Sequence, residues 1–306
     1  MHEELPGYWE KAELEVPGAG AELVIDYYNK RIKVMEFTGP FEALSGNLEA
    51  LAEAEDMGKI IVYTPPEKRN EPKACGYVEE GIIRRYYSGK DCHIFANYPD
   101  NSRGISFQKN KEDQILINCL RNKQKTGKKQ QKKGNSRKKV IQRQQNEIIS
   151  LPTGYLLRPA VQADASAMAA LYRQGFQLYP APLHMESYLL ETMDSNVLYL
   201  LMEKRGEIVS LASAEMDIDN ASAEITDCLT VLSERGNGLM KELIKALEEE
   251  LSERNFLSSY TLCRASSPGI NSAFASLGYT CTGRLVNNCR IGKGFEDMNI
   301  WSKLLK

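Results

Sequence analysis

The sequence has few of the residues that build metal sites or nucleophilic triads. Its three histidines are widely scattered, at positions 2, 93 and 184, so a histidine metal site or a Ser/His/Asp triad has little to build on. The seven cysteines are odd in number and never spaced Cys-x-x-Cys, and most lie in apolar or strand-like segments. This pattern favours buried thiols over disulfides or zinc ligation, and we expect no metal.

Long apolar runs are also missing. No stretch of about 18 uninterrupted apolar residues occurs, and the start, MHEELPGYWEKAELEVPG, has neither the basic nor the apolar region of a signal peptide. The net charge of −2 gives no general attraction to polyanions. We therefore expect a cytoplasmic globular protein without a membrane partner, and the length of 306 residues favours two domains.

One segment differs sharply in composition from the rest. Residues 121–143 contain eleven Lys or Arg, no acid and almost no apolar residue, so they cannot bury enough surface to offset their ordering entropy. We interpret 108–150 as a basic, flexible linker between an N-terminal α+β domain, 1–107, and a C-terminal domain, 151–306. Without interleaved aromatic residues, nucleic-acid binding by the linker is the less favoured alternative. The sequence leaves oligomer formation open.

The C-terminal domain has a mixed α+β pattern. A strand at 155–158 precedes two helices, and three antiparallel strands follow at 197–203, 207–216 and 223–231, joined by the turn-forming segments KRG and DIDN. A helix, a strand, a short helix and a hairpin complete the order.

The N-terminal half repeats part of this pattern. Two short strands within 22–37 precede a helix at 40–57, a buried strand and a strand pair. Gly76-Tyr77-x-x-x-Gly81 and Gly278-Tyr279-x-x-x-Gly283 share their spacing, and each opens a strand, turn, strand unit. We interpret the first half as a degenerate partial copy of the second.

The stretch 233–251, SERGNGLMKELIKALEEEL, places Gly236 and Gly238 at the start of a long amphipathic helix. The first N–H groups of a helix lack internal acceptors and carry the positive end of the dipole, so glycines there let an anion approach the backbone. A simple cap by Ser233 explains the same residues equally well. A Walker loop is excluded because Gly-Lys-Ser/Thr is missing, and the antiparallel strands argue against a dinucleotide fingerprint.

The order of elements and this helix start together resemble the GCN5-related N-acetyltransferase (GNAT) family over about residues 155–301. The closing text, YTLCRASSPGINSAFASLGY and GRLVNNCRIGKGFEDMNIW, is similar to that of the β-lysine N6-acetyltransferases, as are IDYYNKRIKVMEF and KIIVYTPP near the N-terminus. The resemblance implies a GNAT fold, a mostly antiparallel twisted sheet with flanking helices, preceded by a smaller α+β domain.

The resemblance also implies an activity. Acetyl-CoA would acetylate the ε-amine of β-lysine by direct attack of the amine on the thioester, giving a compatible solute. The alternatives are a GNAT enzyme for another small amine, a diamine or a protein N-terminus, and a non-catalytic nucleic-acid-binding protein that uses the basic linker.

The family's cofactor site maps onto two segments. The backbone of Leu229, Thr230 and Val231 would pair with the pantetheine arm, and the pyrophosphate would lie on amides from the helix start, which comprises Arg235, Gly236, Asn237, Gly238, Leu239 and Met240. Asn271 is a further candidate for the cofactor arm. Phe274 stands where many members have a tyrosine that protonates the leaving thiolate.

The acceptor amine, with a pKa of about 10.4, must lose a proton before it attacks. On the strand 223–231, Asp227 interrupts the apolar face and is the favoured base, and Glu224, on the opposite face, is the second candidate. A structural carboxylate fits either residue as well. Asn287 and Glu296 are the candidate substrate residues, because Asn and acidic residues are depleted in strands.

Overall fold

The computed structural model describes residues 7–134, 151, 153–176, 178–292 and 294–305. Within these ranges it describes the side chains of all residues except 123–134. The strands are β1 (Trp9–Val16), β2 (Ala19–Asp26), β3 (Arg31–Thr38), β4 (Lys59–Thr64), β5 (Val78–Tyr87), β6 (Lys90–Asn97), β7 (Tyr155–Pro159), β8 (Val197–Lys204), β9 (Glu207–Asp217), β10 (Ser222–Thr230), β11 (Ser258–Arg264), β12 (Thr280–Ile291) and β13 (Gly294–Leu304). The α-helices are α1 (Phe41–Ala54), α2 (Asn70–Ala74), α3 (Lys109–Gly134), α4 (Ala165–Gly175), α5 (Glu186–Met193), α6 (Leu239–Glu253) and α7 (Pro268–Ser276).

The strands form one continuous sheet in the order β1-β2-β3-β4-β6-β5-β12-β13-β11-β10-β9-β8-β7. On each side of the β5/β12 junction, three antiparallel strands lead through a helix, α1 or α6, to a parallel strand, and a hairpin completes the half. The C-terminal half adds β7, α4 and α5. This shared order is what a partial copy would have. The predicted α+β class, a mostly antiparallel sheet with flanking helices preceded by a smaller α+β unit, is confirmed.

The two halves meet at the glycines of the sequence echo. Gly81 of β5 pairs with Gly283 of β12, and a Cβ built on Gly283 would lie 2.4 Å from the Gly81 Cα. Beside this pair, the completely buried ammonium of Lys59 contacts Glu80 at 2.7 Å and donates to the Val286 carbonyl at 2.8 Å. Glu80 also accepts from the Val286 N–H at 2.7 Å, so this ion pair binds the N-terminal half to β12.

The two equivalent helices differ at their N-termini. The N–H of Phe41, the first residue of α1, donates to the Glu71 carboxylate at 3.0 Å, so a side chain of this chain already occupies the anion position. No side chain caps α6. Of these two helices, α6 is therefore the one with an open N-terminus.

Several sequence predictions need adjustment. Strand β1 was missed, because its alternating pattern, WEKAELEV, is largely charged and has only partly buried apolar residues. Part of the predicted linker is helical, since α3 reaches Gly134 and packs Ile115, Leu116 and the buried Cys119 on the core of the C-terminal half. Residues 135–150 lie outside the described residues. The linker boundaries and the two-domain division stay predictions.

The described residues lack two kinds of feature, a helix that could span a membrane and a cluster of metal ligands. None of the helices there has the length and apolar character needed to cross a membrane. In the same part of the chain, no group of three His, Cys, Asp or Glu side chains is arranged to hold a metal ion.

The glycine junction predicts a stability difference between two Gly→Ala variants. We expect Gly283→Ala to lower the free energy of unfolding by about 1–3 kcal/mol, because its methyl group would collide with backbone atoms of the facing strand. Gly46→Ala, inside α1 with open space around it, should be neutral or stabilising by up to about 1 kcal/mol. Urea unfolding measures both, and equal stabilities would contradict the close approach at the junction.

Candidate active site

A cleft of about 1410 Å³ lies between the two halves of the sheet. Its C-terminal wall consists of β9, β10, β11 and the start of α6, and its N-terminal wall consists of β1, β2 and β3 with Tyr63 and Tyr86. The site therefore needs both halves of the chain.

The C-terminal wall opens where β10 and β11 separate. These parallel strands pair only from Ser222 to Glu224, although β10 continues to Thr230. The Glu224 carboxylate accepts from the Leu262 N–H at 3.4 Å just past the last pair. Beyond this point the edge of β10 faces the cleft, which leaves room for an extended ligand arm beside the strand.

A β-bulge sits on the same strand. The register of β10 against β9 shifts between Thr226 and Leu229, and Asp227 within the bulge has a φ of 51°. Because of the extra residue, Asp227 and Glu224 both line the cleft. The prediction that they face opposite sides of the strand is wrong, since it assumed an unbroken two-residue period.

Three carboxylates gather on this wall. Glu215 of β9 is the direct cross-strand partner of Glu224, an arrangement in which like charges repel. Burial, and then the nearby Glu215, raise the pKa of Glu224 to about 8 and that of Asp227 to about 7. Burial raises the pKa of Glu215 as well. The cluster therefore changes its charge near neutral pH, and bound cations would stabilise its ionised form.

Hydrogen bonds orient Asp227. Ser213 Oγ donates to Asp227 Oδ2 at 2.8 Å, and the Tyr179 hydroxyl donates to the same carboxylate. Tyr172 donates to the Asp227 backbone carbonyl at 3.2 Å and so holds the bulge. Burial raises the pKa of the Tyr179 hydroxyl well above its ordinary value, so Tyr179 stays a neutral donor.

The helix start of α6 has the form of an anion cradle. Gly236 and Gly238 have φ values of 86° and 80°, conformations that glycine adopts without strain, and a Cβ at either position would meet open space. Gly238 is the N-cap residue, and in the first turn that follows the N–H groups of Leu239 and Met240 have no intrahelical acceptor. Leu239 and Met240 of this turn line the cleft, as does Arg235, which donates from Nε to the Thr230 carbonyl at 3.0 Å. This geometry fits the pyrophosphate of acetyl-CoA.

Not every predicted cofactor residue lies on the cleft. Leu229 and Thr230 do, but both backbone groups of Val231 are used within the protein: its N–H donates to Val209 at 3.0 Å and its carbonyl accepts from Glu234 at 3.0 Å. Asn237 does not line the cleft, and its side chain donates to Glu234 at 3.2 Å, which leaves only its backbone for the cradle.

Asn271 and Phe274 belong to the core. Asn271 is completely buried; its Nδ2 donates to two backbone carbonyls, and its Oδ1 accepts from Asn299 and Trp301, each at 2.9 Å. Phe274 is equally buried and packs edge-on against Tyr279. Neither lines the cleft, because α7 turns this face into the sheet.

The two predicted substrate residues also lie elsewhere. Asn287, which has a φ of 43° in a bulge of β12, donates from Nδ2 to the carbonyls of Arg103 and Ile105 at 3.1 and 2.8 Å. Glu296 pairs with Arg264 and accepts from Ser266 at 2.7 Å. The polar character of these strands therefore serves local structure, and neither residue lines the cleft.

Sequence reasoning missed the charged residues that do line it. Glu215 and, from the N-terminal half, Asp26, Arg31 and Lys33 all contribute to the wall. The sequence did contain a signal for these cleft-lining residues. Charged residues alternate with apolar ones in RIKVM, and Glu215 lies opposite Glu224 across the DIDN turn. That the N-terminal wall faces these acids follows only from the join between the halves.

Known proteins resemble this chain over most of its length. The model of the acetyltransferase (GNAT) domain matches residues 164–295. The chain is 71% identical to the β-lysine N6-acetyltransferase of Methanosarcina mazei over 89% of this chain and all of that one. It is 32% identical to the N-acetyltransferase YodP of Bacillus subtilis over 95% and 98% of the two chains, and 30% identical to the β-lysine N6-acetyltransferase of Methanococcus maripaludis over 90% and 93%.

The cradle predicts a specific loss of acetyl-CoA binding. We expect Gly238→Asp to raise the Kd for acetyl-CoA at least about tenfold, because a carboxylate would project into the space intended for an anion. Gly206→Asp is the matched control, since Gly206 lies in the β8–β9 turn with a φ of 81° and open space around it. Isothermal titration calorimetry with both variants makes the comparison, and equal affinities would contradict the assignment of the cradle.

Proposed function

The chain belongs to the GNAT acetyltransferase family, and on this premise we propose that it transfers the acetyl group of acetyl-CoA to the N6 amine of β-lysine. The observation that carries the proposal is the trio of the half-buried Glu215 and Glu224 and the buried Asp227 at the point where β10 and β11 separate. Three repelling carboxylates favour an acceptor with more than one ammonium group. β-Lysine has two, and it is the substrate for which two of the relatives are named.

In this proposal the two ends of the C-terminal wall bind different parts of the two substrates. Acetyl-CoA supplies the acetyl thioester, with its pyrophosphate on the α6 cradle and its arm along the free edge of β10 at Leu229 and Thr230. Glu224 and Glu215, on the paired side of the split, bind the charged amine that is not acetylated. Asp227 lies between these regions, next to the free edge, and receives the proton of the N6 amine.

Asp227 is suited to act as a base near neutral pH. Its raised pKa lies close to the pH at which it works, so the ionised form is populated and still accepts a proton effectively. The hydrogen bonds from Ser213 and Tyr179 hold its carboxylate in one orientation. Glu224 is the alternative base, because it faces the same cleft.

Direct attack by the amine needs no acyl-enzyme. Cys228 lines the cleft, but burial raises the pKa of its thiol, so the reactive thiolate is not populated near neutral pH. Phe274 cannot protonate the leaving thiolate, and its position in the core rules out a contact in any case. A thiol with a pKa of about 8.5 is acidic enough to leave as the thiolate.

The substrate assignment is tested by turnover. We expect acetyl-CoA-dependent release of CoA with β-lysine at a kcat/KM well above those for lysine, ornithine and spermidine, and a product that carries the acetyl group on N6 by mass spectrometry. No release of CoA with β-lysine, together with turnover of another amine, would refute β-lysine as the substrate and leave the assignment as an acetyltransferase unchanged. Silence with every amine, together with no thermal stabilisation by CoA, would refute both.

The role of Asp227 predicts a pH profile. Because the raised pKa keeps Asp227 protonated below about pH 7, kcat should be low in acid and rise as the pH increases through about 7 to 8. Ser213→Ala removes a hydrogen bond that favours the carboxylate form, so this limb should move upward by roughly half to one pH unit. Asp227→Asn should lower kcat by roughly 10² to 10⁴. An unmoved limb in Ser213→Ala would instead assign the base to Glu224.

A further inference from the structure

The cleft wall contributed by the N-terminal half carries two cations, Arg31 and Lys33, on β3, with Glu36 further along the same strand. Along β3, Arg31, Lys33 and Met35 point into the cleft, while Ile32 and Val34 are completely buried in the core of the N-terminal half. This alternation follows from the two-residue period of a strand. The charged residues on this face therefore do not lie on the outer surface of the protein, because they face the C-terminal wall across the cleft.

The charge of Arg31 is neutralised locally. Its Nε contacts Asp26 Oδ2 at 2.8 Å, and its Nη1 donates to the Asn288 carbonyl at 2.9 Å. Asn29 Nδ2 donates to both oxygens of Asp26, at 3.0 and 2.9 Å. These contacts fix the Asp26–Arg31 pair on the cleft wall beside Lys33, and the pair has no net charge.

Lys33 is different, because its ammonium group has no directly bonded counter-ion among the described residues, although Asp26 and Glu224 are near enough to favour its charged form. Its neighbours across the sheet, Val24 and Ile61, are apolar. Throughout the described ranges, no hydrogen bond or ion pair reaches its Nζ, although the side chain is partly buried. Across the cleft, the acidic wall is a source of opposite charge, and Lys33 favours the ionised forms of Glu215 and Glu224. A partly desolvated ammonium without a bonded anion is costly unless a ligand supplies one.

We propose that Lys33, supported by the Asp26–Arg31 pair, binds the carboxylate of the acceptor, so that the N-terminal half makes the enzyme selective for amino acids over diamines. The inference rests on the proposed function and adds the recognition of the acceptor's acidic end. An amino acid with a terminal amine spans the cleft with its ammonium groups on Glu215, Glu224 and Asp227 and its carboxylate on the opposite wall. A diamine has the same cationic groups and nothing for Lys33 to bind.

The test compares each amino acid with the diamine that lacks its carboxylate. The pairs are β-lysine with 1,4-diaminopentane, lysine with cadaverine and ornithine with putrescine, each assayed with the full chain and with Lys33→Met. For the amino acid that is turned over best, we expect kcat/KM to fall roughly 10- to 150-fold in Lys33→Met, mainly through KM, as for loss of a charged hydrogen bond. The value for its diamine should stay within about twofold of the parent's, and Lys33→Arg should recover most of the loss.

Two controls separate recognition from structure. Lys11→Met removes the same charge from an exposed position on the same wall and should change kcat/KM by less than about threefold. The Kd for acetyl-CoA should be unchanged in Lys33→Met, which shows that the cleft is intact. An equal loss for both members of a pair, no loss for the amino acid, or a parent protein that prefers the diamine would each overturn the inference and leave the acetyltransferase in place. Absence of turnover with every amine would overturn the proposed function and the inference together.

Discussion

The close approach of Gly81 and Gly283 is the constraint on which the rest of the molecule depends. Two sheets can join edge to edge at this point only because neither strand carries a side chain there. The buried Lys59–Glu80 pair beside the glycines is bonded to the Val286 backbone, and breaking it would leave an uncompensated charge in the interior. The join turns two modest sheets into one and brings β3 opposite β9 and β10. Without it, the cleft would have only its acidic wall.

A second consequence of the join is electrostatic. In the closed cleft Glu215, Glu224 and Asp227 are desolvated together, which raises their pKa values. Groups whose pKa is raised on folding contribute stability below the unfolded pKa of about 4, and that contribution is lost as the pH rises through the folded values near 7 and 8. Ammonium groups on a bound acceptor would offset the repulsion among these carboxylates at neutral pH. The N-terminal half, in which Glu71 closes the start of α1, contributes a wall to the cleft and no second cradle at this helix.

The sequence was most informative where the local pattern and the tertiary structure agree. The order of elements in the C-terminal half and the helix at 239–253 follow from hydrophobic periodicity and turn residues, which act over a few neighbouring positions. The glycines at 236 and 238 marked the cradle because positive φ values belong to the glycines themselves. For Asn287 and Asn271 the local pattern was not informative. A polar residue in a strand or at a helix start gives the same sequence signal whether its side chain contacts a ligand or a buried carbonyl.

By itself, the sequence indicated most elements of the C-terminal half, the glycine-rich start of α6 and Asp227 and Glu224 as the carboxylates of interest, because each is encoded by residues close together in the chain. Only the tertiary structure decided that the bulge at Asp227 brings both acids onto one wall and that Glu215 lies among them. It also decided that Lys33, nearly 200 positions away from these acids, faces them. The physical reason is that a pocket is defined by distances across the sheet, and these depend on one bulge and one glycine contact that no local pattern reveals.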